Sequence, residues 1–183
     1  MTQTRSLAAA RDALLGLPQP FTPDGVQEVV QSFRPAENEL EPYLNFSDRS
    51  YTRTLFFRGP RFEILVLCWK PGQVSPIHDH ASSICAMAVV EGRARSDSYL
   101  LTGGQIQADQ GRSLDLARTD FHAKGQVVTV VGGEIHQVGN FQEDGSDLVT
   151  VHFYLPPIES MRCFDKETGR CQMVRPETLP PRL

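Results

Sequence analysis

The sequence has little of what usually announces a function by composition. Among 183 residues there are one tryptophan, four cysteines and five histidines. No two cysteines stand in a C-x-x-C pair, which argues against a structural zinc knuckle. Four cysteines in a chain of this length do not suggest a disulfide scaffold. No apolar run approaches the roughly 18 residues of a membrane span. Arg11-Asp12 interrupts the apolar stretch near the start, so that stretch does not read as a secretory leader. Positive charge is not in excess: the net charge is −4, with no footprint for nucleic acid or an anionic membrane surface. Repeats and low-complexity segments are missing too. What is there is ordinary globular composition, 40% hydrophobic and 22% charged. The expectation is a single cytoplasmic domain, residues 1–183, whose function must come from a site.

The chain divides by pattern into a helical region at 1–50, a strand-rich region at 51–155 and a Pro-rich tail at 156–183. Ser6 can cap a helix from Leu7 to Leu15, with Gly16 as its stop. Thr22-Pro23 reads as an N-cap followed by Pro at the first helical position, and Val26, Val29, Val30 and Phe33 follow helical spacing. From Tyr51 onward the spacing predicts strands at 52–58, 62–69, 85–91, 94–101, 104–109, 127–131, 136–140 and 148–155. Turn signals separate them, among them Gly59-Pro60, Pro71-Gly72, Gly132-Gly133 and Asp144-Gly145. Short strands at this spacing predict a mainly β sandwich or barrel with N-terminal helices. The tail is expected to wrap the outside rather than form a second domain.

His78-Asp79-His80 carries the first chemical signal. Residues two apart on an extended chain share a face, so both imidazoles can reach one metal, although a pair of surface histidines gives the same pattern. The surroundings sharpen it. Five residues separate Gly72 from His78, and Gly92 closes the next apolar strand. Gly125, Gly133, His136 and Asn140 form a second set. The two sets together resemble the paired motifs of the cupin superfamily, which implies a jelly-roll β-barrel. Two positions depart from the motifs: the usual glutamate falls on Cys85 and the usual proline on Val131. Three neutral imidazoles then remain as ligands, His78, His80 and His136. Such a set suits an open metal site and an anionic substrate such as a thiolate. From spacing alone Cys85 reads as a buried small hydrophobe on a strand.

Further residues resemble one family within that superfamily, the cysteine dioxygenases, over roughly Tyr51 to Gly169. These are Tyr51-Thr52-Arg53, the segment from Phe62 to Trp69, the run from Leu148 to Pro157, then Cys163-Phe164-Asp165 and Thr168-Gly169. The resemblance implies Fe(2+) held by His78, His80 and His136. It implies L-cysteine and O2 as substrates, with a sulfinate as product. It places the substrate carboxylate on Arg53, with Tyr51 nearby, and the active-site phenol at Tyr154, oriented by Thr150 and His152. The position that in some members is thioether-linked to that phenol falls on Cys85. The Leu155-Pro156 peptide is implied to be cis, and Met161 falls at a position near the substrate. Arg53 marks a bacterial type with arginine at the carboxylate position; enzymes acting on 3-mercaptopropionate typically carry glutamine there.

The residues keep other readings open. Thr150, His152 and Tyr154 alternate with Val149, Val151 and Phe153, so one strand face is polar. That face lines a barrel interior or faces solvent. Arg53 alone reads as a surface ion pair. His122 has no supporting context and is expected to be a surface or structural residue. A metal-dependent isomerase and a non-catalytic small-molecule-binding cupin are functional alternatives. The oligomeric state is open, and a monomer is compatible with the sequence.

Overall fold

The computed structural model describes residues 6–36, 38–102 and 113–182. Two helices come first. In α1, Leu7–Gly16, the Ser6 hydroxyl accepts the Ala9 N–H at 3.1 Å. In α2, Pro23–Val30, the Thr22 hydroxyl accepts the Gly25 N–H at 3.2 Å. Both caps satisfy N–H groups that no helical carbonyl can reach. The buried positions Leu7, Ala10 and Leu14, then Val26, Val29 and Val30, line one side of each helix. A single 3-10 turn, Glu41–Tyr43, precedes the strands.

Eleven strands follow among the described residues: β1 Thr52–Arg58, β2 Glu63–Trp69, β3 Ile77–His78, β4 Ile84–Glu91, β5 Arg93–Thr102, β6 Ser113–Ala123, β7 Val127–Val130, β8 Ile135–Gly139, β9 Leu148–Leu155, β10 Met161–Phe164 and β11 Cys171–Val174. They form a five-stranded sheet in the order β1-β2-β9-β4-β7 and a six-stranded sheet in the order β11-β10-β3-β8-β5-β6. The pairings within both sheets are antiparallel. The architecture is thus mainly β, two facing sheets of the jelly-roll kind with helices outside.

Period-two alternation explains the layering. Every residue of β2 and of β9 is buried, so both faces of these central strands are covered. Ile64, Val66, Val151 and Phe153 point outward and pack with Leu7, Val26, Val30 and Phe33 of the helical region. Leu65, Leu67, Trp69 and Tyr154 point inward and meet Ala94, Val138, Met161 and Cys163 from the opposite sheet. Phe33 meets Phe153 edge-on at 5.6 Å. Burying a phenylalanine of this kind contributes about 1.5–3 kcal/mol. The solvent-facing alternative for the polar side of β9 does not occur.

Several expectations change. The strand expected at 104–109 lies outside the described residues. β6 was not expected: it is mostly exposed, so it carries no apolar alternation, and it pairs with β5 only. β3 is two residues long, too short to leave a pattern. The tail does more than wrap the outside: β10 inserts beside β3, and β11 extends the same sheet. The prolines at 156 and 157 concealed this return. None of the four cysteines is in a disulfide, and three of them are buried.

Candidate metal centre

The shortest strand carries the site. β3 pairs with β8 through His78 opposite His136, so these two imidazoles are cross-strand neighbours. On its other side β3 pairs with β10 through Cys163 opposite His78. His80 lies two residues further along and returns to the same face. Asp79 between them is fully buried and faces away. Its carboxylate accepts Arg162 Nε at 2.6 Å and the Ala81 N–H at 3.2 Å, and its own N–H reaches the Arg162 carbonyl at 3.1 Å. The intervening residue thus locks the histidine segment to β10. Gly132 closes the same end of the molecule, because a side chain there would run into the Ala81 carbonyl.

The three imidazoles converge. Their ligating nitrogens all lie within 4.8 Å of one another, and all three residues are buried. His78 Nε2 and His80 Nε2 approach to 3.2 Å. Two nitrogens bound at about 2.0–2.1 Å to one ion stand about 3 Å apart. His78 Nδ1 is 2.9 Å from the Pro76 carbonyl and His136 Nδ1 is 3.1 Å from the Glu134 carbonyl. A carbonyl can only accept, so both Nδ1 atoms carry the proton and both Nε2 lone pairs face the shared point. Burial, reinforced by His136, pushes the His78 pKa down to about 3. Burial also lowers His80 and His136. The rings are therefore neutral donors, and they fit a metal ion. Among the described residues no carboxylate belongs to the group.

A cation stands beside them. Arg53 is only 7% exposed, on β1 of the facing sheet. Its Nε is buried without a hydrogen-bond partner, and no ion pair involving it forms among the described residues. The surface ion pair open to Arg53 in the sequence is thereby excluded. Its guanidinium carbon lies 5.7 Å from the Tyr154 ring centroid. Tyr51 stacks on Trp69 at 4.2 Å and 12°. Burial raises the Tyr51 phenol, and the neighbouring Arg53 partly opposes this.

On β9 the polar face forms a chain. Trp69 Nε1 donates to Thr150 Oγ1 at 3.0 Å. Thr150 Oγ1 is 3.0 Å from His152 Nε2, and His152 Nδ1 is 3.0 Å from the Tyr154 hydroxyl. An indole can only donate, so the Thr150 hydroxyl accepts from Trp69. The tautomer in which Thr150 donates to His152 Nε2 lets His152 donate from Nδ1 to the Tyr154 oxygen and leaves the Tyr154 proton for the cavity. Burial, then Arg53, holds His152 well below its ordinary pKa, consistent with this neutral tautomer. Burial raises Tyr154 well above the usual phenol range. Cys85 faces Tyr154 in register, and burial pushes its thiol up to about 12.

These groups share a cavity of about 30 Å³ between the sheets. Tyr51, Arg53, His78, His80, Cys85, His136, His152 and Tyr154 all line it. Thr150 is fully buried and reaches it through His152. Met161 does not line it and is packed in the inner apolar cluster instead. His122 sits on β6, half-buried, away from the cavity. Sequence reasoning missed Trp69, Ser75 and Ser96 in this lining. Only Trp69 left a signal, as the single tryptophan standing near the His-x-His segment. A larger cavity of about 690 Å³ lies across the five-stranded sheet, lined by Phe33, Leu40, Leu44, Phe46 and Val149 among others, and holds no metal-ligating group among the described residues.

A family model described as cysteine dioxygenase type I matches residues 7–167. Curated relatives named cysteine dioxygenase type 1 include those of Danio rerio, 26% identical over 154 residues, and Bos taurus, 28% identical over 145 residues. The first alignment covers 82% of this chain and 73% of the relative, the second 79% and 70%. Among solved structures, a Thermus thermophilus protein aligns with TM-score 0.51 and 17% identity, over 64% of this chain and 94% of its own. A Klebsiella pneumoniae protein with a double-stranded β-helix domain also gives 0.51, with 16% identity, over 75% and 88%. These two likenesses concern the fold alone.

Proposed function

The chain belongs to the cysteine dioxygenase type I family, and from that premise we propose that it converts L-cysteine and O2 to cysteine sulfinic acid at an Fe(2+) held by His78, His80 and His136. Both oxygen atoms end on sulfur, and the thiol proton remains as the acid proton of the product. The balance needs no external reductant. A ferrous ion in the imidazole set supplies O2 activation and favours the thiolate form of a bound thiol.

One observation carries the choice of a carboxylate-bearing thiol: Arg53 is buried beside the imidazoles with its Nε unpartnered. A buried guanidinium is stable only when an anion completes its bonding. A substrate carboxylate would do so through a charge-assisted pair. Tyr51 would border that carboxylate. Tyr154 would donate its hydroxyl proton toward the reacting end of the substrate, held in direction by His152, Thr150 and Trp69. The register of Cys85 opposite Tyr154 supports a thioether between them. That bond joins Sγ to the phenol ring with loss of two hydrogens to O2, and intact mass reads the loss.

The test is O2 consumption by Fe(2+)-loaded protein with L-cysteine and 3-mercaptopropionate side by side. Faster uptake with cysteine supports the proposal. Preference for 3-mercaptopropionate would transfer the chemistry to the thiol lacking an amine. No uptake with either thiol at full iron occupancy would return the protein to the isomerase or binding readings.

A further inference from the structure

We infer that the tail segment 177–182 positions Arg53, through a backbone hydrogen bond from Leu179; the inference rests on the substrate reading above. β1 is a terminal strand of the five-stranded sheet, so its outward-facing backbone groups have no strand neighbour there. The tail supplies one. Leu179 N–H donates to the Arg53 carbonyl at 2.7 Å, and Leu55 N–H donates to the Leu179 carbonyl at 2.9 Å. Together they make a parallel bridge at Thr54. Beyond it, Arg182 N–H reaches the Pro42 carbonyl at 2.7 Å, and the Arg182 guanidinium reaches the Glu41 carbonyl at 2.9 Å. The strap is thus pinned past its contact with Arg53 as well as before it, where β11 lies in the six-stranded sheet.

This arrangement matters because the two halves of the site ride on different sheets. Arg53 and Tyr154 belong to the five-stranded sheet, and His78 and His136 to the six-stranded sheet. A substrate that spans the metal and Arg53 requires a fixed separation between them. The tail runs from one sheet to the other and bonds to the backbone of Arg53 itself. Small misplacements of a binding group are costly when a ligand must satisfy two fixed points. The strap therefore selects for thiols that carry a carboxylate, without touching them.

Leu179→Pro tests this, because it removes the N–H at a partly exposed position outside both apolar clusters. The measurement is calorimetric affinity, under anaerobic conditions, of the Fe(2+)-loaded protein for L-cysteine and for 2-aminoethanethiol. The second thiol lacks only the carboxylate. The unaltered chain is expected to favour cysteine. Leu179→Pro is expected to weaken cysteine alone, by about threefold to tenfold, the worth of one hydrogen bond. Arg182→Ala loosens the same strap and should move the ratio in the same direction. A ratio unchanged in both variants, or equal weakening of both thiols, overturns the inference. Equal affinity of the unaltered chain for the two thiols overturns the Arg53 reading instead, and the strap's role with it.

Discussion

The two faces of the five-stranded sheet are built from the same strands with the same period, yet they do different work. On β9, Val149, Val151, Phe153 and Leu155 face the helices, and Thr150, His152 and Tyr154 face the opposite sheet. Both faces are equally buried. On β9 the outer face is apolar throughout and acts by area removed from water. The inner face holds hydrogen-bonding groups that each need a partner, and it meets that need with a directed chain ending at a cavity. Burial alone therefore does not separate scaffold from site. The separation lies in where the buried polar atoms find partners, and in the two that find none among the described residues, Arg53 Nε and His80 Nδ1.

Substitutions on the two faces should have different consequences. His136→Ala should have the largest effect, loss of metal retention and of essentially all turnover; metal analysis showing full iron occupancy with normal activity would contradict the ligand assignment. Phe153→Ala, one residue from His152 but on the outer face, should cost about 3–5 kcal/mol of stability in denaturant unfolding. Its metal content should stay normal while it remains folded. Arg53→Ala should raise KM for cysteine on the order of a hundredfold, as expected when one partner of a buried charge pair is removed. An unchanged KM would remove Arg53 from the site. Thr150→Val keeps the shape and breaks the chain at one link. Turnover should fall about tenfold with iron content unchanged. Thiol labelling of the native protein at pH 8 gives the smallest effect. Burial pushes Cys68 on the outer face up to about 11 and any Cys85 thiol not joined to Tyr154 up to about 12, so both should stay silent. Exposed Cys171 should react first.

Much of this was legible in the residues, for identifiable reasons. Ser6 and Thr22 cap the helices where their side chains demand it. β9 begins and ends at the residues expected, because the apolar alternation of Val149, Val151, Phe153 and Leu155 is uninterrupted; β1 does too, although Thr52-Arg53-Thr54 carries no such alternation and the strand shifts register between Leu55 and Phe57. The histidine spacing reported a shared face, and the imidazoles do share one. β6 was illegible because an exposed edge strand needs no apolar pattern. β10 was illegible because its place is set by pairing with a two-residue strand far away in sequence. The unpartnered Nε of Arg53 was beyond any pattern, since a lone arginine looks the same in a sequence whether paired or not. The tail's bond to Arg53 runs through backbone atoms, which carry no sequence signal at all.

On the proposed reading, the imidazole group and Arg53 together direct O2 onto the sulfur of a carboxylate-bearing thiol. Turnover of L-cysteine under isotopically labelled O2 by the Fe(2+)-loaded protein, with mass spectrometry of the product, tests it most directly. The account predicts cysteine sulfinic acid carrying both labelled oxygen atoms. A product with one label or none, or no product from protein fully loaded with iron, would contradict it.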